Sequence, residues 1–240
     1  MTTTCPAPVK TVRRLLTEQK RTTAPSESET AAVARLERRI VDLVDHERAA
    51  LARALHDTVS QSLSGSFLLL RVLGSKLKQM GQELPPEMAE LGAASMQAGK
   101  DIHLIERWLR SPSVEDATLG SALAELAASI SQTVPCELHC PEPVIIADRF
   151  VVKQLVLIAH EAARRAIVPA SAQRVAISLL VENEEISMAV RQDGTADDLI
   201  FDDSIRELLQ LRAKVIGARL TIATLPEGGV QILCKLPKAK

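Results

Sequence analysis

HERAALARALHDTVSQSL, residues 46–63, decides the fold. Leu51, Leu55, Val59 and Leu63 recur every four residues with no glycine or proline between them, the period of a helix that buries one stripe. Working outward, Val33, Leu36, Ile40, Leu43 and Val44 extend the stripe towards the N-terminus, and Ser26 with Glu29 three residues later, after Pro25, has the form of a capping box. No proline follows before Pro85, so the spacing predicts a helix over about 28–80, roughly 75 Å long at 1.5 Å per residue. A helix of that length with a single stripe needs a partner. GQELPPEM (81–88) supplies a stop and a restart, after which Met88, Leu91, Ser95, Ala98, Ile102, Ile105 and Leu109 form a heptad-like stretch ending at Ser111-Pro112. Two antiparallel helices leave one apolar face uncovered. Two such hairpins pair into a four-helix bundle, which predicts a homodimer.

Beyond Pro112 the pattern changes. SALAELAASISQTV predicts a helix, CELHC a short strand, and ADRFVVKQLVLIAHEAARRAIV a strongly apolar helix. RVAISLLVEN and EISMAVRQDG predict a hairpin turning around Glu182-Asn183-Glu184. A helix over 203–217 and a last hairpin turning at Glu227-Gly228-Gly229 follow. Helices interleaved with antiparallel pairs imply one sheet covered on one face. The fold class is therefore α+β: a flexible tail over 1–27, a dimerising helical hairpin over 28–112, and an α/β sandwich over 115–240.

Composition narrows the function. In 240 residues, Lys+Arg is 29 and Asp+Glu is 30, so a broad footprint for nucleic acid is not expected, and 2% aromatic content gives bases little to stack on. No apolar run reaches the ~18 residues of a membrane span, and MTTTCPAPVK has no apolar signal-peptide core. The four cysteines form no C-x-x-C pair and fit a reduced, cytoplasmic chain. His139, between Cys136 and Cys140, points away from both if CELHC is a strand, so no metal site is expected there.

With Leu55 at the centre of the buried stripe, His56 lies about 100° round on its flank. Arg53, Ser60, Ser64 and Phe67 share that side, and Gln61 follows Asp57 by four residues. The two nitrogens of an imidazole are chemically distinct; a carboxylate that takes the proton of one leaves the other as a nucleophile. A bare His-Asp pair on an exposed flank is equally what a solvated polar surface offers.

The whole string is more specific. Glu47-Arg48, Ala52-Arg53, Leu55-His56-Asp57 and Gln61 together resemble the phosphoacceptor region of sensor histidine kinases, in the subfamily that pairs with LuxR-type response regulators; Ala54 departs from the glutamate usual there. The resemblance implies that His56 is phosphorylated, that Asp57 orients or deprotonates it, and that Gln61 positions water when a partner's aspartyl phosphate is hydrolysed. It also implies docking of a receiver domain at Arg53, Ser60, Ser64 and Phe67.

The order of elements over 115–237 resembles the ATP-binding domain shared by histidine kinases, DNA gyrase and Hsp90, in damaged form. The family's Glu is present as Glu161, but Arg165 stands where a Mg²⁺-bearing Asn is expected, and magnesium demands oxygen ligands. Asp193-Gly194 keeps part of an Asp-x-Gly-x-Gly box, with Ala196 in place of its second glycine. The glycine-rich phosphate cradle is missing, and Asp197, Asp198, Asp202 and Asp203 occupy its stretch. An intact His56 beside a broken nucleotide site resembles the dimeric phosphotransferases descended from histidine kinases. That predicts phosphoryl exchange with receiver domains through His56, with Mg²⁺ supplied by the receiver and no cofactor bound by this chain. The rival readings are a response-regulator phosphatase using Asp57 and Gln61, a pseudokinase scaffold, and an atypical ATP-dependent kinase.

Overall fold

The long helix forms, with one wide turn inside it. The computed structural model describes residues 27–110, 112, 114, 118–167, 170–182, 184–194, 203–226 and 228–238. Residues 1–26 of the proposed tail, Asn183, Ala196, Asp197, Asp198, Asp202 and Glu227 lie outside them, and Glu27, assigned to the tail, opens the first helix. Helix α1 (Glu27–Leu55) runs into a π turn (His56–Ser60) and on into α2 (Gln61–Gln79). The cause of the widening is local. Thr58 Oγ1 donates to the Ala54 carbonyl at 2.5 Å, Ser62 Oγ to Thr58 at 2.6 Å and Ser66 Oγ to Ser62 at 2.9 Å. Hydroxyls bonding one turn back compete for helix carbonyls and distort the ladder. The Gln61 N–H then reaches five residues back to the His56 carbonyl.

Gly81 closes α2 at φ 72°, with its N–H on the Lys78 carbonyl and that of Gln82 on Leu77, the left-handed ending that glycine adopts without strain. Pro85-Pro86 then starts α3 (Pro86–Leu109), proline filling a first-turn position where no N–H is needed.

Most of the stripe expected over 88–109 is half-buried, with two exceptions. The 24-residue α3 is about 36 Å long, pairs with α2 and the π turn, and near its end packs Trp108 on the core of the second domain. Its inward side is Met88, Gly92, Ser95, Gly99, Ile102 and Glu106, whereas Leu91 and Ile105 are exposed. In α1 the stripe residues Val33, Leu36, Ile40, Leu43 and Leu51 are likewise exposed, and the buried positions are Val41, Asp45 and Ala52, with Arg48 half-buried. Val44, Leu55, Val59 and Leu63 of the stripe are half-buried, and the side of α1 that meets the second domain is a different one, carrying Asp45 and Arg48, both engaged in ion pairs.

Those pairs reach the second domain. It contains α4 (Leu119–Ile130), β1 (Cys136–His139), α5 (Arg149–Ile167), β2 (Val175–Glu182), β3 (Glu185–Gln192), α6 (Asp203–Lys214), β4 (Arg219–Thr224) and β5 (Val230–Pro237). The sheet runs β1-β2-β3-β5-β4, with β1 parallel to β2 and the other neighbours antiparallel. Strands β2, β3 and β5 alternate buried with less buried residues, so Ile177, Met188 and Ile232 face the layer of α4, α5 and α6. Both predicted hairpins form as drawn. Strand β1 puts Cys136 and Leu138 inward and His139 outward, and burial pushes the Cys136 thiol up to about 11. Contacts divide the chain into Met1–Arg39 and Ile40–Lys240, so the helical hairpin from Ile40 onward and the sheet domain belong to one unit. No described helix is long and apolar enough to cross a membrane.

Candidate functional site

His56 opens the π turn with its side chain 46% exposed, and Asp57 and Gln61 beside it are exposed as well. Among the described residues Asp57 makes no hydrogen bond to the His56 ring. The carboxylate that reaches it comes from the other helix: Glu106 of α3, whose Oε2 lies 3.4 Å from His56 Nδ1. Ser60 Oγ donates to the other oxygen of Glu106, and His103 Nδ1, one turn before it on α3, sits 3.2 Å from Oε2. Glu106 is only 5% exposed. The Ser60 hydroxyl holds its carboxyl below the usual range, against a burial that pushes upward, and His103 and His56 add to the lowering. The group is an ionised, hydrogen-bonded carboxylate behind the ring.

Ser60 is the correction among the expected docking residues. It is buried on Glu106, because the wide turn retards the helix rotation and swings position 60 inward. Arg53 and Ser64 are exposed on the surface around His56. Phe67 is half-buried in a groove of about 230 Å³ between α2 and α3, lined also by Ser64, Met96, Lys100 and His103. Sequence reasoning missed Glu106 and His103. The available signal was a carboxylate four residues after Ile102, inside an apolar seam, where an unpaired acid is costly.

Two turns before His56, α1 meets the helix that carries the expected nucleotide residues. Glu161 on α5 is 1% exposed and accepts from Arg48 of α1 at 3.0 Å, from Arg165 at 3.1 Å and from Arg164. Burial alone would push its carboxyl up; the Arg164, Arg48 and Arg165 guanidiniums instead hold it down to about 2. Next to it His160 lies against Trp108 of α3, rings 5.2 Å apart, and its burial lowers it to about 4, so it is neutral at pH 7. Arg212 of α6, 1% exposed, donates to Asp45 of α1 at 2.5 Å and to Gln154 at 2.8 Å, and Lys153 lies 3.0 Å from Asp45.

Asp193 Oδ1 accepts the Gln173 and Arg174 N–H groups at 2.8 and 2.9 Å and so holds the turn into β2. A side chain at Gly194 would overlap the Ala170 carbonyl, which explains the glycine by close packing of that same turn. These residues do not fit a magnesium–nucleotide complex. Glu161 is saturated by three cations, and Arg165 is a donor-only cation where an oxygen ligand is required.

Residues 47–115 match the family model described as Histidine kinase. The sensor protein VraS of Staphylococcus saprophyticus is 23% identical over 205 residues, covering 84% of this chain and 58% of that protein. VraS of Staphylococcus aureus strain COL is 24% identical over 209 residues, with 84% of this chain and 58% of that one covered. Among solved structures, the ATP binding domain of PrrB from Mycobacterium tuberculosis aligns at TM-score 0.45 and 17% identity over 52% of this chain and 96% of that one. The Erythrobacter litoralis EL346 blue-light activated histidine kinase aligns at 0.44 and 13%, over 74% and 59%. Residues 47–115 therefore carry a histidine-kinase-type domain, and most of the chain is similar to sensor proteins of two-component signalling. It spans 58% of the length of the curated relatives it matches.

Proposed function

We propose that the protein is a histidine phosphotransferase that exchanges phosphoryl groups with response-regulator receiver domains through His56 and draws none from ATP. The observation that carries this reading is a contrast on one chain. His56 is open to a docking protein, whereas Glu161, the acidic residue kept on the helix of the nucleotide motif, is neutralised by Arg48, Arg164 and Arg165.

A phosphorylated receiver docks beside the π turn against Arg53, Ser64 and Phe67. His56 attacks the aspartyl phosphate in line, and the receiver's own Mg²⁺ neutralises the developing charge; the reverse step loads a second receiver. The working form is a homodimer. Leu68, Leu69, Val72 and Leu73 on α2, with Leu91 and Ile105 on α3, are exposed apolar residues of the kind a second hairpin would cover.

Hydrolysis of receiver phosphate is a second output, favoured by the exposure of Asp57 and Gln61 next to His56. Incubation with a radiolabelled phosphoreceiver separates the readings. Label should appear on wild-type protein and on Gln61→Ala, and vanish in His56→Ala. Receiver phosphate lost without any labelled histidine, in wild type but not in Gln61→Ala, would establish the phosphatase instead. Stable co-assembly with a separate kinase and no phosphohistidine would mark a scaffold.

A further inference from the structure

The carboxylate behind His56 is not the one beside it in sequence. We propose that Glu106 is the positioning residue of the phosphoacceptor: held by Ser60, it fixes the His56 ring with Nδ1–H turned inward and leaves Nε2 as the attacking nitrogen. The inference rests on the reading of His56 as phosphoacceptor and adds which group sets its tautomer.

A carboxylate can only accept, so a hydrogen bond at Glu106 Oε2 requires the proton on Nδ1, and the lone pair is then on Nε2. Glu106 is fixed for this work. Ser60 occupies Oε1, the side chain is buried, and the π turn brings both His56 and Ser60 onto the same carboxylate. His103 shares Oε2 from the α3 side, so the two imidazoles converge on one negative charge.

In the transfer step the Nε2 lone pair forms the N–P bond, and the P–O bond to the donor aspartate breaks with its electron pair leaving on that carboxylate. The proton stays on Nδ1. The ring gains positive charge as the bond forms, and Glu106 is the counter-charge at hydrogen-bond range. The arrangement performs the orienting task of the aspartate in a Ser-His-Asp triad, from a neighbouring helix.

Two measurements on the full chain test it. Imidazole ¹⁵N spectra of unphosphorylated wild type should show His56 protonated at Nδ1, and Glu106→Gln should shift it towards the Nε2–H form that free imidazole prefers. Transfer from a phosphorylated receiver should slow by at least about tenfold in Glu106→Gln, with the receiver concentration for half-maximal rate unchanged. Wild-type His56 protonated at Nε2, or Glu106→Gln transferring at the wild-type rate, overturns the assignment. An Nδ1–H ring in a wild-type protein that takes no phosphate defeats the phosphoacceptor reading itself, and the role of Glu106 with it.

Discussion

His160 shows what burial does to a histidine that has no exchange surface. Its ring is packed on Trp108 and held neutral down to about pH 4 by desolvation, whereas His56 is half-exposed. The pH consequence follows from the direction of the shift. Above pH 6.5 the ring is neutral in both folded and unfolded chains. Between 6.5 and 4 the unfolded chain binds a proton that the folded chain refuses, so acid lowers stability through that window. His160→Phe keeps an aromatic ring and removes the titration. Urea unfolding at pH 7.5 and pH 5 should show wild type losing about 2 kcal/mol more than the variant. Equal losses would mean that the ring is solvated.

At the scale of elements, α1 is attached to the second domain by charge where the sequence pattern offered grease. Arg212 and Asp45 form a buried pair between α6 and α1, supported by Gln154 and Lys153. Breaking such a pair from one side strands a buried charge and costs about 3–5 kcal/mol, whereas replacing both partners with apolar residues can be neutral. Arg212→Met should therefore lower the thermal midpoint sharply, and Asp45→Leu/Arg212→Met should recover most of it. A double variant as unstable as the single would show that the pair itself, and not the unpaired charge, holds the helix.

This is also where the sequence was legible and where it was not. Helix ends at Pro85-Pro86 and Gly81, both hairpins and the inward alternation of β2 were readable because each is set by residues close in sequence. The inward face of α1 was not, since Asp45 and Arg48 become core residues only through Arg212 and Glu161, more than a hundred positions away. The π turn was missed for a related reason: its hydroxyls look like ordinary surface serines until their acceptors are known. His56, Asp57 and Gln61 were visible as a local string; Glu106, from the far arm of the hairpin, was hidden by distance along the chain.

On the scale of the whole molecule, the chain has two functional parts. The stem presents a histidine backed by a fixed carboxylate, and Glu161 of the adjoining sheet domain is tied to α1 through Arg48. On the proposed reading that domain acts as a partner of the stem and supplies no phosphate. The most direct measurement offers purified wild-type protein, in parallel, γ-labelled Mg·ATP and a labelled phosphoreceiver, with His56→Ala as control. The account predicts acid-labile label on His56 from the receiver and none from ATP. Self-labelling of His56 from Mg·ATP would contradict it.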